Sequence, residues 1–209
     1  MLHKLQYISQ GETVDHQKRN IFDALEAGCK MVQVRFKNGS KEEVLEVAQQ
    51  ARIWCTQANA TLIINDSVEL ALKIDADGVH LGLDDMSIQE ARDWLGYNKI
   101  IGGTANTMND VLKRINEKCD YVGLGPLRFT STKEKLSPLL GFEGYQRVAK
   151  ELEKLNLSIP IYAIGGIVGN DIELLKKTGV YGIAVSGMIT DATNKAGLVR
   201  QMEEKLNTN

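Results

Sequence analysis

The chain has 209 residues, of which 25 are basic and 27 acidic, giving a formal net charge of -2. That near balance gives no sign of the basic surface that nucleic acid or an anionic membrane would require, so the basic residues are expected to act locally. The length allows one domain or two; it lies within the range of a single eightfold barrel with a substantial core, and one domain spanning 1–209 is the reading adopted. Cys29, Cys55 and Cys119 fall far apart in apolar segments with no CxxC pair, the pattern of buried free thiols in a reducing compartment rather than of a zinc site. The opening MLHKLQYISQ carries no long apolar core or cleavage-like site, and no run approaches the roughly 18 apolar residues of a membrane span. A soluble cytoplasmic protein is expected, acting on small molecules without nucleic-acid or membrane partners. A homo-oligomer is compatible with the pattern, which does not fix the oligomeric state.

Residues 5–8 read as a first strand and 17–27 as a helix, with Ile21, Phe22 and Leu25 at helical spacing and Gly28 as its stop. Residues 30–36 (KMVQVRF) form a second strand with Gln33 and Arg35 alternating with apolar positions. A long helix over 41–58 follows, capped by Ser40. Short apolar runs at 62–64 and 79–81 give the third and fourth strands around a helix at 68–73. Helix 87–94, strand 99–102, helix 108–117 and strand 120–124 continue the alternation. Residues 125–141 (GPLRFTSTKEKLSPLLG) interrupt it as the one long irregular segment, expected to act as a lid or binding loop. Helix 142–155, strand 159–164, helix 171–178, strand 181–185 and helix 192–206 complete the chain. Eight strand–helix units fit a (β/α)8 TIM barrel of the α/β class, with an open doubly wound sheet as the alternative.

Within 61–85 two apolar runs each end in an acidic turn, at Asn65-Asp66 and at Leu83-Asp84-Asp85. In a parallel barrel, Asp66 and Asp85 then sit at the carboxyl ends of neighbouring strands, where active sites of this fold lie. Two carboxylates at one rim suit magnesium, which keeps water and substrate phosphate among its ligands; helix N-capping is the competing role for Asp85. Gln33, Arg35 and Lys37 share a strand face, and Arg with Lys suits a phosphate or pyrophosphate. Thr104, just past the fifth strand, is a turn or cap residue on its own showing. Thr130, Ser131, Thr132 and Lys133 place three hydroxyls and a cation in sequence, able to contact a phosphate or simply to be solvated. The glycine turn at Gly165-Gly166 and the end of the last strand at Val185-Ser186 offer backbone amides to a phosphate. His80 reads as a hydrogen-bonded core histidine before a catalytic one.

QVRFK at 33–37, IND at 64–66, DGVHLGLDD at 77–85, GLGP with TSTK within 123–133, and AIGGI at 163–167 together resemble the thiamine phosphate synthase family over nearly the whole chain. The resemblance implies a transferase that joins 4-amino-5-hydroxymethyl-2-methylpyrimidine diphosphate to 4-methyl-5-(2-phosphoethyl)thiazole, yielding thiamine monophosphate and pyrophosphate by a magnesium-assisted dissociative substitution. It implies magnesium on Asp66 and Asp85. Gln33, Arg35, Lys37, Asn65, Thr104 and Lys133 would hold the pyrimidine diphosphate, with Arg35, Lys37 and Lys133 stabilising the departing charge. Thr130, Thr132, Gly166, Val185 and Ser186, with Ser131 in the same hydroxyl run, would hold the thiazole phosphate. The chain departs from the family pattern at Phe36, where an acid is usual and which is expected to face the helices, and at Thr104-Ala105-Asn106, where Ser-x-His is usual. It departs again at Arg128-Phe129, where Phe-Pro is commoner. Loss of that histidine argues against the related thiazole tautomerase. An isomerase on the same barrel, or a non-catalytic paralogue that binds thiazole or thiamine phosphate, are the alternatives.

Overall fold

A computed structural model describes residues 1–129 and 139–208. Eight parallel strands close into a barrel in chain order: β1 (Leu5–Ile8), β2 (Met31–Val34), β3 (Thr61–Asn65), β4 (Gly78–Leu81), β5 (Ile100–Ala105), β6 (Tyr121–Leu124), β7 (Ile161–Ile164) and β8 (Gly182–Val185), with β8 pairing back onto β1. The helices are α1 (Val14–Glu26), α2 (Lys41–Gln57), α3 (Val68–Lys73), α4 (Ile88–Leu95), α5 (Met108–Asn116), α6 (Gly141–Lys154), α7 (Ile172–Lys177) after a 3-10 turn at Gly169–Asp171, α8 (Gly187–Thr190) and α9 (Lys195–Asn207). The closed ladder excludes the open sheet. Among the described residues no helix is long and apolar enough to cross a membrane.

Local chemistry sets the helix starts. Ser40, Ser87 and Thr107 each accept a hydrogen bond from the backbone N–H three residues on, and Glu43, Glu90 and Asp110 reach back to the cap. These reciprocal capping boxes satisfy donors that a helix end leaves open.

The strand period of two separates two cores. Outward residues such as Val32, Leu62, Val79, Ile101, Val122 and Ile183 pack against the helices. Met31, Ile63, Tyr121, Tyr162 and Ala184 pack against one another inside the barrel. Register carries polar side chains into the same interior: Gln33 lies beside Ile63, Asn65 beside His80, and Thr104 beside Gly123. Cys29, Cys55 and Cys119 are buried and free. Burial pushes each thiol up to about 12, which keeps them protonated and unreactive.

Three sequence expectations are corrected. The second strand ends at Val34, not Phe36, because the Arg35 N–H goes to Ser9 Oγ at 2.9 Å instead of into the ladder; Lys37 and Arg35 therefore lie on the loop after it. The fifth strand runs through Gly102-Gly103 to Ala105, so Thr104 lies within the strand. A Cβ on Gly102 would stand 2.1 Å from the Tyr121 ring, and one on Gly103 2.7 Å from Arg114 Nε. These glycines make room for large neighbours instead of ending the strand. The last helix begins at Lys195, and the short α8 precedes it.

Candidate active site

The carboxyl ends of β2, β3 and β4 bring the charged residues together. Asp66 follows β3 with φ +64, a left-handed conformation that Asp tolerates better than most residues. Its N–H donates to His80 O at 2.8 Å. Asp85, in the β4–α4 loop, accepts from Gly82 N–H at 2.6 Å, so it closes its own loop and does not cap α4, whose cap is Ser87. Buried Arg114 holds that loop from the other side, donating to Gly82 O at 2.8 Å and to Thr104 O at 3.1 Å. The Asp66 and Asp85 carboxyls meet. Burial first, then the hydrogen bond and charge of Asp85, push the Asp66 pKa above its ordinary value, and Lys37 opposes the shift from 3.4 Å. Arg35 is fixed through its backbone: Ser9 Oγ takes its N–H, and buried Gln17 Nε2 donates to its carbonyl at 3.2 Å.

Below this rim lies a buried polar floor. His80 Nδ1 contacts Tyr121 OH at 3.0 Å, and His80 Nε2 contacts Thr104 Oγ1 at 3.0 Å. Gln6 Nε2 donates to the same phenol at 3.3 Å, and Gln33 hydrogen-bonds it as well. Burial drives the Tyr121 pKa far upward, so the hydroxyl stays protonated. His80 is the structural histidine expected.

On the far side of the mouth, β7 ends in Gly165 (φ +87) and Gly166 (φ +68), a turn that residues with a Cβ rarely adopt. Ser186 follows β8; its hydroxyl donates to Gln10 Oε1 at 3.0 Å and does not cap α8. The Val185 side chain packs outward into the core, so only its main chain remains for a ligand. Phe36 is also buried in that outer core, as its place in the alternation implied. Thr130, Ser131, Thr132 and Lys133 lie outside the described residues.

A family model described as thiamine monophosphate synthase matches residues 5–189. The chain is 51% identical over 209 residues to a thiamine-phosphate synthase of Flavobacterium johnsoniae, covering 100% of this chain and 99% of that one. It is 54% identical over 206 residues to one of Flavobacterium psychrophilum, covering 99% of this chain and 100% of the other. The chain belongs to the thiamine monophosphate synthase family. A solved thiamine phosphate pyrophosphorylase from Pyrococcus furiosus superposes with a TM-score of 0.85 at 29% identity, covering 98% of this chain and 97% of that one.

For a member of the thiamine monophosphate synthase family, the rim chemistry fits a magnesium ion. Two acids in contact, one with its ionisation disfavoured by the other, form a pair that a divalent cation relieves. Among the described residues no group of three or more His, Cys, Asp or Glu side chains could hold a metal. A two-carboxylate set matches magnesium, which takes its remaining ligands from water and phosphate. Tyr121, Gln6, Gln10, Gln17 and Arg114 escaped sequence reasoning. Tyr121 stands in the apolar-looking run YVGL, and the others carry no spacing signal before the barrel register is known.

Proposed function

We propose that the protein is a thiamine-phosphate synthase, a cytoplasmic transferase joining 4-amino-5-hydroxymethyl-2-methylpyrimidine diphosphate to 4-methyl-5-(2-phosphoethyl)thiazole with release of pyrophosphate. The observation that carries the reading is the Asp66–Asp85 pair beside Lys37 at the carboxyl rim of a barrel that the family model matches over residues 5–189.

Asp66 and Asp85 would hold magnesium, which when bound would offset negative charge on the diphosphate. Lys37 and Arg35 bind the diphosphate oxygens and stabilise the charge that develops as pyrophosphate leaves the pyrimidine methylene. The same part belongs to Lys133 by its place in the family motif. Gln33, Thr104 and Asn65, set by strands around the floor, orient the pyrimidine. The aminopyrimidine delocalises the cation left at its methylene, and the thiazole nitrogen attacks there. Gly166, Ser186 and the main chain at Val185, with Thr130, Ser131 and Thr132 from the hydroxyl run, hold the thiazole phosphate and so fix the angle of attack. Residues 130–138, most of the segment expected to act as a lid, lie outside the described residues. No protein nucleophile or strong base is required. Both ring nitrogens of His80 are engaged in the floor, which weighs against an isomerase that would need that imidazole for proton transfer.

Pyrophosphate release measured with purified protein tests this. The signal should require both organic substrates and magnesium. Release with the pyrimidine diphosphate alone, or turnover unaffected by EDTA, would refute it.

A further inference from the structure

Three successive carbonyls at the end of β7 are each taken by a donor from residues 127 and 128. Leu127 N–H donates to Ile164 O at 2.8 Å, Arg128 N–H to Gly165 O at 3.2 Å, and Arg128 Nη1 to Gly166 O at 2.9 Å. The guanidinium then reaches Asp171. Nη2 donates to Oδ1 at 2.8 Å, and Nη1 donates to Oδ2, which also accepts from Val168 N–H at 2.8 Å. Asp171 is only 4% exposed, while Arg128 lies partly open with its guanidinium 5.9 Å from the Phe142 ring centre. The stem of Arg128 rests directly on the turn: a Cβ at Gly166 would stand 2.9 Å from Arg128 Cγ.

This one side chain therefore joins the segment after β6 to the turn after β7 and to the start of α7, and it touches α6. The other half of the peptide groups matters for function. Among the described residues no acceptor takes the N–H of Gly165, Gly166 or Ile167. A turn whose carbonyls are all anchored and whose amides are unclaimed is a preformed concavity for an anion.

We propose that Arg128 is a positioning residue for the acceptor substrate: by gripping Gly166 O and Asp171 it holds the Gly165–Ile167 turn in the shape that receives the phosphate of the phosphorylated thiazole. The inference rests on the synthase reading and names the part of that site it serves. Arg128 itself does not touch the reacting atoms. Solvent at the partly exposed guanidinium screens the ion pair, whereas a turn left free to sample other conformations must be reordered by the ligand each time it binds.

The test compares Arg128→Met, which keeps the stem but removes every donor, and Arg128→Lys, which keeps the charge without the planar fork. In Arg128→Met the KM for the thiazole phosphate rises about tenfold while that for the pyrimidine diphosphate stays within about twofold, and Arg128→Lys falls between. Calorimetric titration with 4-methyl-5-(2-phosphoethyl)thiazole gives a matching loss of affinity. A merely structural ion pair would move both KM values together or only the melting temperature. Equal KM changes, or none, overturn the proposal. If the unmodified protein releases no pyrophosphate, the synthase reading fails, and the titration still decides the clamp: equal thiazole phosphate affinity in parent and Arg128→Met, or no affinity in either, overturns it.

Discussion

Asp66→Asn should stabilise the metal-free protein while abolishing its turnover. Asp66 ionises against burial and against the adjoining Asp85 carboxyl, with Lys37 at 3.4 Å as partial compensation. Two like charges about 4 Å apart repel by roughly 4 kcal/mol at an effective dielectric constant near 20. Lys37 cancels much of this, and solvent screens the remainder, because the Asp66 side chain is 35% exposed and that of Lys37 56%. A net gain of about 1 kcal/mol remains, which is roughly 2–4 °C in melting temperature for a chain of this size. Asn is the right replacement because it tolerates the φ of +64 at this position, whereas Ala would be strained there.

The sign of the pH dependence follows from the direction of the shift. A carboxyl whose folded pKa is raised binds its proton more tightly in the native state, so its contribution is most favourable at low pH and is lost as pH rises through the folded value. The advantage of Asp66→Asn in EDTA should therefore be absent below about pH 4 and grow above the ordinary carboxylate range. Adding magnesium with pyrophosphate should raise the melting temperature of the parent and leave that of the variant unchanged, because binding to the native state stabilises by mass action. Thermal unfolding with and without EDTA, from pH 4 to pH 8, gives all of this in one series. An Asp66→Asn protein that melts below the parent in EDTA at pH 7 would refute the idea of a repelling acid pair.

Asp85→Asn keeps an acceptor for Gly82 N–H but removes the charge, so the β4–α4 loop should survive while magnesium-dependent turnover falls about 100-fold or more in a steady-state pyrophosphate assay. Tyr121→Phe leaves His80 Nδ1 and the Gln6 amide without their shared buried partner; urea denaturation should show a loss of about 1–3 kcal/mol, and an unchanged midpoint would mean that the phenol bridges nothing of consequence. Asp171, whose pKa Arg128 holds below the ordinary carboxylate value, contributes stability that is present above the unfolded carboxyl pKa and lost as pH falls through the folded one. The melting-temperature difference between the parent and Asp171→Asn should accordingly be full at neutral pH and shrink below about pH 4.

The barrel was legible because its code is short-range. Apolar runs of strand length, separated by capped helices, suffice to order eight units, and Ser40 acts as the cap its place before the helix suggested. The two acids were legible because their turns repeat one pattern after adjacent strands, and adjacency in chain order becomes adjacency in space once a barrel closes. What escaped depends on partners distant in sequence. Gly102-Gly103 resembles a stop until Tyr121 and Arg114 are seen filling the space of the missing side chains. Arg35 and Lys37 looked like continuing strand until Ser9 Oγ took the Arg35 N–H. The four-residue α8 is too short to show any periodicity.

The floor of the barrel explains where the chemistry must lie. Gln6, Gln33, His80 and Tyr121 are buried, and a polar cluster at that depth is tolerated only when its members satisfy one another. Among the described residues that are not exposed, the single buried side-chain atom without a hydrogen-bond partner is Gln17 Oε1, which lies outside this floor on α1. Tyr121 is held protonated by burial, and both nitrogens of His80 are occupied. Such a floor can present hydrogen bonds to an aromatic ring. Among the described residues, two acids meet one layer higher, where Asp66 adjoins Asp85 against Lys37. A barrel with a mutually hydrogen-bonded floor and an ionic rim suits the binding of a polyanion and the stabilisation of its departure, which is the demand of a substitution reaction.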